Sequence, residues 1–348
     1  MGRGLRVGME HANQSEVYGP LRIAPPAEDQ VPVVVIGLPR SGTSFLSHAL
    51  SQLPDYYVFD DLYLISQREA KEAGTSTLDD ASLSALLGFL GWQIRARHKW
   101  GIYSIPAVPF ERVEEMNTAM TEAFTQRRGT VLELQAEWLY RLARAAGKGQ
   151  WGFKMPKALL YADALFKGYP NVQVICLMRQ PEEVLASYKH MPRERGGDGD
   201  PRRYHPLVYA PYWRFAARRF RQLSETYPDR VHLVRFHEFV ADPLKTTNEI
   251  ASILGTAPAA QITRPERQNS SFKGDPKKSS KKTGLTGLEA RLVRWMCAQD
   301  IQELGFERRS CPPVRLADFW DFFRVSAVAT TFQIGQVFAR MGKRFRSR

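Results

Sequence analysis

The segment of this chain with the clearest chemical potential is residues 37–44, GLPRSGTS. An apolar run, residues 32–36, precedes this segment, and a helical pattern follows it. A glycine-containing loop between a strand and a helix can surround an anion with backbone N–H groups at the helix N-terminus. Thr43 stands where a nucleoside-triphosphate loop has its lysine, and the strong cation, Arg40, lies three residues earlier. The pattern therefore predicts a nucleotide ligand whose γ-phosphate is not the reacting group.

A second candidate anion site is the segment 178–190, MRQPEEVLASYKH. Arg179 follows an apolar strand pattern, and Pro181 suits the first turn of a helix because its missing N–H has no partner there anyway. Ser187 lies eight residues after Arg179, two turns into this helix. A guanidinium and a hydroxyl in this arrangement favour a terminal phosphate. The alternative is that Arg179 pairs with a local glutamate while Ser187 lies on a solvated face.

The elements that must position these motifs alternate between strand and helix. Strands are predicted at about 32–37, 151–155, 172–178 and 231–236, with helices at 157–168, 181–190, 209–227 and 243–254 and a mostly helical region over 62–148. Strands that are apolar almost throughout favour a parallel sheet with both faces covered. In such sheets the carboxyl ends of all strands meet at one edge, where ligands bind.

This combination of motifs resembles the sulfotransferases that use 3′-phosphoadenosine 5′-phosphosulfate (PAPS), in particular the bacterial and Golgi-type branch with a G-x-P-R-S-G-T loop. Three further segments match the family: WGFKMPK at 151–157, the stretch 232–255 and the basic stretch near 270–282. The resemblance covers about 32–305. It implies a three-layer α/β sandwich with a central parallel sheet of the P-loop NTPase type and helical insertions. It also implies in-line transfer of a sulfuryl group from PAPS to a hydroxyl or amine of a carbohydrate, lipid or small metabolite, with release of the bisphosphate PAP.

The resemblance also implies the residues that bind the donor. The loop around the 5′-phosphosulfate would consist of Arg40, Ser41, Gly42, Thr43 and Ser44, the 3′-phosphate would meet Arg179 and Ser187, and the late basic loop would contribute Lys273 and Gly274. The tyrosine of the family's later segment is Phe236 here, and its aspartate is replaced by Phe239. These two departures put the adenine contacts of that segment in doubt.

Three residues are candidates for catalysis: Asp61, Lys154 and Arg40. An acceptor hydroxyl must lose a proton as it attacks sulfur, and a carboxylate can take it. The family's glutamate for this task corresponds to Asp61, which is one methylene shorter. Lys154 and Arg40 would stabilise negative charge on the departing phosphate.

Alternatives to these catalytic roles remain. The pair Asp60-Asp61 also suits a helix N-cap, and Lys154 also suits a plain surface lysine at a strand end. Asp60 and three histidines, His98, His190 and His205, are alternative bases. No acidic Mg²⁺ ligand set follows a strand, so no metal is expected.

The charge of the chain, +13 over 348 residues, is concentrated late in the sequence. Residues 264–282 hold seven cations and two anions. Nucleic acid, an anionic membrane or a polyanionic small molecule would explain such an excess. No nucleic-acid-binding motif accompanies the basic runs, so nucleic acid is not expected. The functional alternatives to a sulfotransferase are a P-loop nucleotide kinase and a non-catalytic nucleotide-binding module.

Targeting signals are missing from the sequence patterns. The start of the chain has no apolar signal-peptide core, and no run of about 18 apolar residues occurs. Three cysteines at spacings unlike those of metal sites indicate neither a disulfide framework nor zinc. We therefore expect a cytoplasmic protein, with peripheral membrane contact as a variant of this expectation.

The acceptor is the least defined part of the expected reaction. Its site should be lined by regions 62–148 and 192–210. Their aromatic residues suit a sugar, a phenol or a lipid tail equally well: Trp92, Trp100, Tyr103, Phe110, Tyr204, Tyr209, Tyr212 and Trp213.

The expected domain organisation has three parts: an irregular lead-in over 1–31, the sulfotransferase domain over 32–312 and an amphipathic basic helix over 313–348. The helix carries an apolar stripe at spacings of three and four: Leu316, Trp320, Phe323, Ala327, Thr331, Ile334, Phe338, Met341 and Phe345. We expect the stripe to pack on the core or on a second copy of the chain as a homodimer. The alternative is an anionic membrane, with Arg340, Lys343, Arg344, Arg346 and Arg348 at the headgroups.

Overall fold

A central five-stranded parallel sheet organises the protein. The computed structural model describes residues 28–62, 77–100, 108, 110–190, 204–264 and 284–346, and for 94–100, 110, 157 and 332–346 it describes the backbone alone. The strands are β1 (Val33–Gly37), β2 (Tyr56–Phe59), β3 (Gln150–Lys154), β4 (Gln173–Met178) and β5 (Val231–Arg235). Their order across the sheet is β2-β3-β1-β4-β5.

Helices connect the strands, as a parallel sheet requires. They are α1 (Thr43–Leu50), α2 (Asp80–Trp100), α3 (Phe110–Arg127), α4 (Val131–Ala145), α5 (Ala162–Gly168), α6 (Pro181–Lys189), α7 (Pro206–Thr226), α8 (Phe236–Ala241), α9 (Pro243–Leu254), α10 (Gly287–Glu303) and α11 (Leu316–Arg346). A 3₁₀-helix, Pro156–Leu160, precedes α5. Within the described ranges, none of the helices combines the length and the apolar character that a membrane span needs.

The burial of β1 shows why its residues form a central strand. All five are buried, and because successive side chains of a strand point to opposite faces, both faces of the sheet are covered here. The register pairs Val33 with Gly152 and Val35 with Lys154. A Cβ added at Gly152 would lie 2.4 Å from the Val33 side chain, so only glycine allows this close approach. The register sets Lys154 at the end of β3.

The chain divides into two compact units. Of the described residues, the first unit takes in those up to 35, 47–174 and 247–262, and the second takes in 36–46, 175–246 and those from 263 on. The phosphate-type loop and the end of β4 belong to the second unit. The ends of β2 and β3 belong to the first.

The structure confirms the predicted parallel sheet and all four predicted strands, and it adds one strand. The added strand, β2, has only four residues and follows Pro54 and Asp55. It pairs in parallel with β3, with Val58 opposite Gly152 and Phe59 opposite Phe153. Four residues are too few to show a recognisable hydrophobic periodicity, although the aromatic and β-branched composition of β2 is typical of a strand.

The exposure of the C-terminal apolar stripe contradicts the expectation that it packs on the core. Leu316, Trp320 and Phe323 are 88%, 77% and 66% exposed, and Ala327 and Thr331 are exposed as well. The prediction that the stripe packs on the core of the chain is therefore wrong for these residues. The helix contacts the protein through other positions, such as the buried Val325.

Candidate active site

The loop after β1 has a backbone shaped to approach an anion. Gly37, Arg40 and Gly42 have φ angles of 148°, 74° and 95°, in or near the left-handed range that favours glycine. A Cβ at Gly37 would lie 2.4 Å from the carbonyl oxygen of Leu177. Arg40 adopts its conformation without being glycine, at a cost of about 1–3 kcal/mol. Such strain persists only where the surrounding structure holds the residue in place. Here the strained residue belongs to the turn before α1, and turns that combine right- and left-handed residues present backbone N–H groups to anions.

Ser41 gives an independent indication that the loop receives a polar ligand. Its side chain is buried, and within the described residues its hydroxyl has no hydrogen-bond partner. A buried hydroxyl without a partner costs about 1–3 kcal/mol. A phosphate or sulfate oxygen at the loop would satisfy this donor, so the residues present fit an anionic group.

The structure brings Arg40, Arg179 and Ser187 together. Arg40 Nε donates to Ser187 Oγ at 3.1 Å, and Arg179 Nη1 approaches the carbonyl oxygen of Arg40 at 3.4 Å. Arg179 immediately follows β4, and Ser187 lies on the buried side of α6. The two predicted anion sites therefore meet in one unit.

Arg179 also pairs with a local glutamate, as the alternative interpretation of the sequence predicted. Glu183 Oε2 accepts from Arg179 Nε at 2.7 Å, and Arg309 also pairs with this carboxylate. Burial opposes ionisation of Glu183, but the hydrogen bonds and charges of the two arginines outweigh it and lower the pKa of the carboxyl. Glu183 holds one edge of the guanidinium. Because the guanidinium has five N–H donors in a fixed plane, the pairing leaves Arg179 suited to bind a second anion.

Two aromatic residues hold the junction between β4 and α6. Trp213, fully buried on α7, donates its indole N–H to the Arg179 carbonyl at 2.9 Å. The Phe236 ring lies 4.4 Å from the Arg179 guanidinium carbon, in a cation–π arrangement. Phe236 therefore has a structural role at the loop, which the sequence comparison with the family tyrosine did not reveal.

Gly42 packs directly on this ring, which gives the first prediction. A Cβ at position 42 would lie 2.4 Å from Phe236 Cε2, and its φ of 95° adds strain. We expect Gly42→Ala to lower the free energy of unfolding by about 2–4 kcal/mol and to abolish nucleotide binding by the loop. Urea denaturation and calorimetric titration measure the two effects.

A matched control separates the ring contact from the backbone strain. Gly147 has a φ of 72°, and a Cβ there would meet none of the described heavy atoms within 4 Å. Gly147→Ala should therefore show the backbone penalty alone, about 1 kcal/mol. Equal losses for both variants would mean that the contact with Phe236 is unimportant.

A second cluster lies in the first unit, where the ends of β2 and β3 place two carboxylates on one lysine. Lys154 Nζ lies 3.0 Å from Asp60 Oδ1 and 2.5 Å from Asp61 Oδ1. The lysine side chain is 3% exposed, which excludes the alternative of a plain surface lysine. Ser47 Oγ, from α1, donates to Asp60 Oδ1 at 2.9 Å.

The two carboxylates of this cluster differ in surroundings. Burial raises the pKa of Asp60, and the charge of Asp61 raises it further, against the opposing effects of Lys154 and Ser47. Asp60 Oδ2 has no partner among the residues that the structure describes. Asp61 has a left-handed φ of 55°, and its side chain is the more exposed of the two. Asp61 is thus the more accessible of the two carboxylates.

The other predicted site residues fall into two groups. Lys273 and Gly274 lie outside the described residues, as does the side chain of His98. His205 caps α7: its Nδ1 accepts from the Leu207 N–H at 3.2 Å and its Nε2 lies 2.9 Å from Ser326 Oγ. Burial lowers the pKa of His205. Its partners mark it as structural rather than as a base.

The aromatic residues expected around the acceptor are also divided. Trp213 and Tyr204 are buried, and Trp213 donates its indole N–H to the Arg179 carbonyl. Contrary to the expectation, neither residue presents an accessible surface to an acceptor. Trp92 is exposed. Sequence reasoning also missed the part played by Ser47, since a serine on the buried side of a helix shows no local signal of its distant partner.

Comparisons with known proteins identify a family whose model covers the motifs. The model of the sulfotransferase family matches residues 32–259. Among solved structures, the sulfotransferase domain of the Synechococcus PCC 7002 olefin synthase is 18% identical, with a TM-score of 0.43 over 90% of this chain and 98% of that one.

Two further solved structures are similar at the same level. The sulfotransferase domain from the curacin biosynthetic pathway is 14% identical, with a TM-score of 0.48 over 81% of this chain and 100% of that one. The sulfotransferase of Alicyclobacillus acidocaldarius is 16% identical, with a TM-score of 0.43 over 80% and 98%. A comparison with curated proteins finds no matching sequence. Since the family model covers well over half of the chain, including the loop, Lys154, Arg179 and Ser187, this protein belongs to the sulfotransferase family.

Proposed function

We propose that this sulfotransferase uses PAPS as its donor and transfers the sulfuryl group to a hydroxyl group, or to an amine, of a carbohydrate, lipid or small metabolite. The observation that carries the proposal is the meeting of Arg40, Arg179 and Ser187 beside the loop. PAPS has anionic groups at both its 5′ and its 3′ positions. Two arginines from two separate motifs match that distribution of charge. Arg40 donates to Ser187, and Arg179 contacts the Arg40 carbonyl.

The residues of the loop bind the 5′ end of the donor. Backbone N–H groups at the start of α1 and the buried Ser41 hydroxyl meet its oxygens, and Arg40 adds a positive charge. Thr43 stands where a kinase has the lysine that reaches a γ-phosphate. The loop therefore does not favour the kinase alternative, and family membership does not favour a non-catalytic module.

The residues of the lysine–carboxylate cluster perform the proton chemistry. PAPS supplies the activated sulfuryl group, whose bond to the phosphate oxygen breaks as the acceptor oxygen bonds to sulfur. Asp61 takes the proton that the acceptor hydroxyl loses. Lys154 places its charge near the departing phosphate oxygen. Asp60, held by Ser47, orients the Lys154 ammonium and acts as a positioning residue.

The test of the donor is the selective effect of Arg179→Ala. A charge-assisted hydrogen bond contributes about 1.5–3 kcal/mol, so PAP should bind about tenfold more weakly or worse. Adenosine 5′-phosphosulfate, which lacks the 3′-phosphate, should bind nearly as it does to the unaltered protein. Calorimetric titration of both ligands gives the comparison.

Arg309→Ala is the matched control, because Arg309 also pairs with Glu183 but belongs to neither predicted motif. We expect this variant to keep nearly full affinity for PAP. If Arg179→Ala weakens both ligands equally, Arg179 supports the fold and does not recognise the 3′-phosphate.

A further inference from the structure

Helix α11 is attached to the protein along one side. Asp318 Oδ2 accepts from the Leu288 N–H at 3.4 Å, and the His205 imidazole contacts the Ser326 hydroxyl at 2.9 Å. The Phe322 ring lies 5.5 Å from the same imidazole, and Val325 is buried. These contacts hold the first three turns of α11 in a defined orientation.

The opposite side of these turns is an exposed apolar surface. Leu316, Trp320 and Phe323 lie on it, with more than half of each side chain accessible. Phe319 and Val328 extend its edges and are also exposed. Three adjacent exposed side chains of this size, two of them aromatic, form a patch of the kind that marks an interaction site. We call the Leu316, Trp320 and Phe323 surface the outer stripe.

The sequence continues the register of the outer stripe to the end of the helix. Ile334, Phe338, Met341 and Phe345 follow at spacings of three and four, and the backbone is helical through Arg346. Five cations and no acid occupy residues 340–348. At 100° per residue, the positions of Arg340 and Lys343 fall on the side opposite that register, and the position of Arg344 falls on its flank. An apolar side continuous with a strongly basic end is the pattern of helices that lie in a membrane interface.

The charges of α11 favour lipid over a second copy of the chain. Its only acids among residues 316–346 are Asp318 and Asp321. Asp318 accepts backbone N–H groups, and Asp321 pairs with Arg324 at 2.7 Å. A second copy of the helix would therefore bring five more cations and no unengaged carboxylate to meet them. Anionic headgroups complement these cations directly, and each lysine or arginine near the surface raises the membrane binding constant roughly fivefold.

We propose that α11 docks this protein on the surface of an anionic lipid bilayer, with the outer stripe in the interface and the terminal cations at the headgroups. Tryptophan and phenylalanine suit that depth because their rings are large and apolar, and tryptophan also carries a polar N–H. Such docking does not rest on the proposed donor or on catalysis.

Vesicle flotation of the full-length protein tests the proposal. One set of vesicles contains phosphatidylglycerol and phosphatidylcholine in equal parts, and the other contains phosphatidylcholine alone. We expect binding to the anionic vesicles at about 0.1 M salt, where the screening length is about 10 Å, and loss of binding at about 1 M, where it is about 3 Å. No binding to anionic vesicles at the lower salt concentration would overturn the proposal.

Two variants locate the contact. Trp320→Glu combined with Phe323→Glu should lower binding at least about tenfold, since burial of one large apolar side chain contributes about that factor. Trp295→Glu is the matched control, because Trp295 on α10 is 78% exposed yet lies outside the outer stripe. All three substitutions replace exposed side chains, and thermal unfolding checks that both variants fold.

Two further outcomes would count against lipid docking by the outer stripe. One is equal loss of vesicle binding with Trp295→Glu. The other is a dimer in light scattering that becomes a monomer with the Trp320 and Phe323 substitutions while neither protein floats with vesicles. That second result would assign the outer stripe to a second copy of the chain.

Discussion

Asp61→Asn is expected to lower the catalytic rate by about 10²–10⁴-fold, the usual loss when a general base is removed. PAP affinity should remain nearly unchanged, because the proposed donor contacts belong to the loop, Arg179 and Ser187. The asparagine has the same shape as the aspartate and keeps an oxygen for Lys154, whose Nζ lies 2.5 Å from the Asp61 carboxylate. Single-turnover kinetics with labelled PAPS, beside calorimetric titration with PAP, measures both quantities.

Asp60→Asn is the matched control for this substitution. Burial and the charge of Asp61 raise the pKa of Asp60, so its ionised form is disfavoured in the folded state, and this destabilising effect grows as the pH rises through the pKa of the folded protein. Asparagine cannot ionise, so the variant should not lower the melting temperature at pH 7 and should keep most of the rate. If Asp60→Asn is instead the damaging change, Asp60 is the base, and if neither matters, the cluster is not the site of proton transfer.

Arg40→Ala is expected to lower turnover by at least about 10²–10³-fold, the loss typical of a removed transition-state donor. The variant loses the loop's cation and the hydrogen bond from Arg40 to Ser187. Thr43→Ala, at the first residue of α1, should impair turnover as well. Near-normal rates with PAPS in either variant would contradict the assignment of the loop.

Arg40→Gly separates the side chain from the backbone. The left-handed φ of Arg40 costs about 1–3 kcal/mol for a residue with a Cβ, and glycine removes this cost. Arg40→Gly should therefore be at least as stable as the unaltered protein in urea denaturation, yet as inactive as Arg40→Ala. An active Arg40→Gly protein would show that the loop needs its backbone shape and not the guanidinium.

The elements with long apolar runs were predictable because the signal is local. β1 and β4 are buried almost throughout, and a run of apolar residues with strand-forming composition is visible in one sequence window. The start of α6 at Pro181 was predictable because proline is favoured in the first turn of a helix. β2 escaped prediction because four residues give too short a window, and its place in the sheet depends on pairing with β3.

The separate parts of the candidate site were predictable, but their contacts were not. Arg40 and Ser187 are 147 residues apart in sequence, and Lys154 and Asp61 are 93 apart. Resemblance to a family suggested each residue singly. The pairing of both Asp60 and Asp61 with one buried lysine, and the support from Ser47, came only with the packed structure.

By itself the sequence determined the strand–loop–helix with Arg40 in place of a lysine, the order of the motifs and an apolar stripe near the C-terminus. These features depend on residue type and on short spacings in the sequence. Such spacings determine locally whether a segment forms a helix, a strand or a loop. Tertiary structure decided that Phe236 closes on Gly42, that Glu183 holds Arg179 and that the outer stripe is exposed. A helical spacing shows that one side is apolar, but which side meets the protein depends on the partners that the rest of the chain provides, here Leu288 and His205.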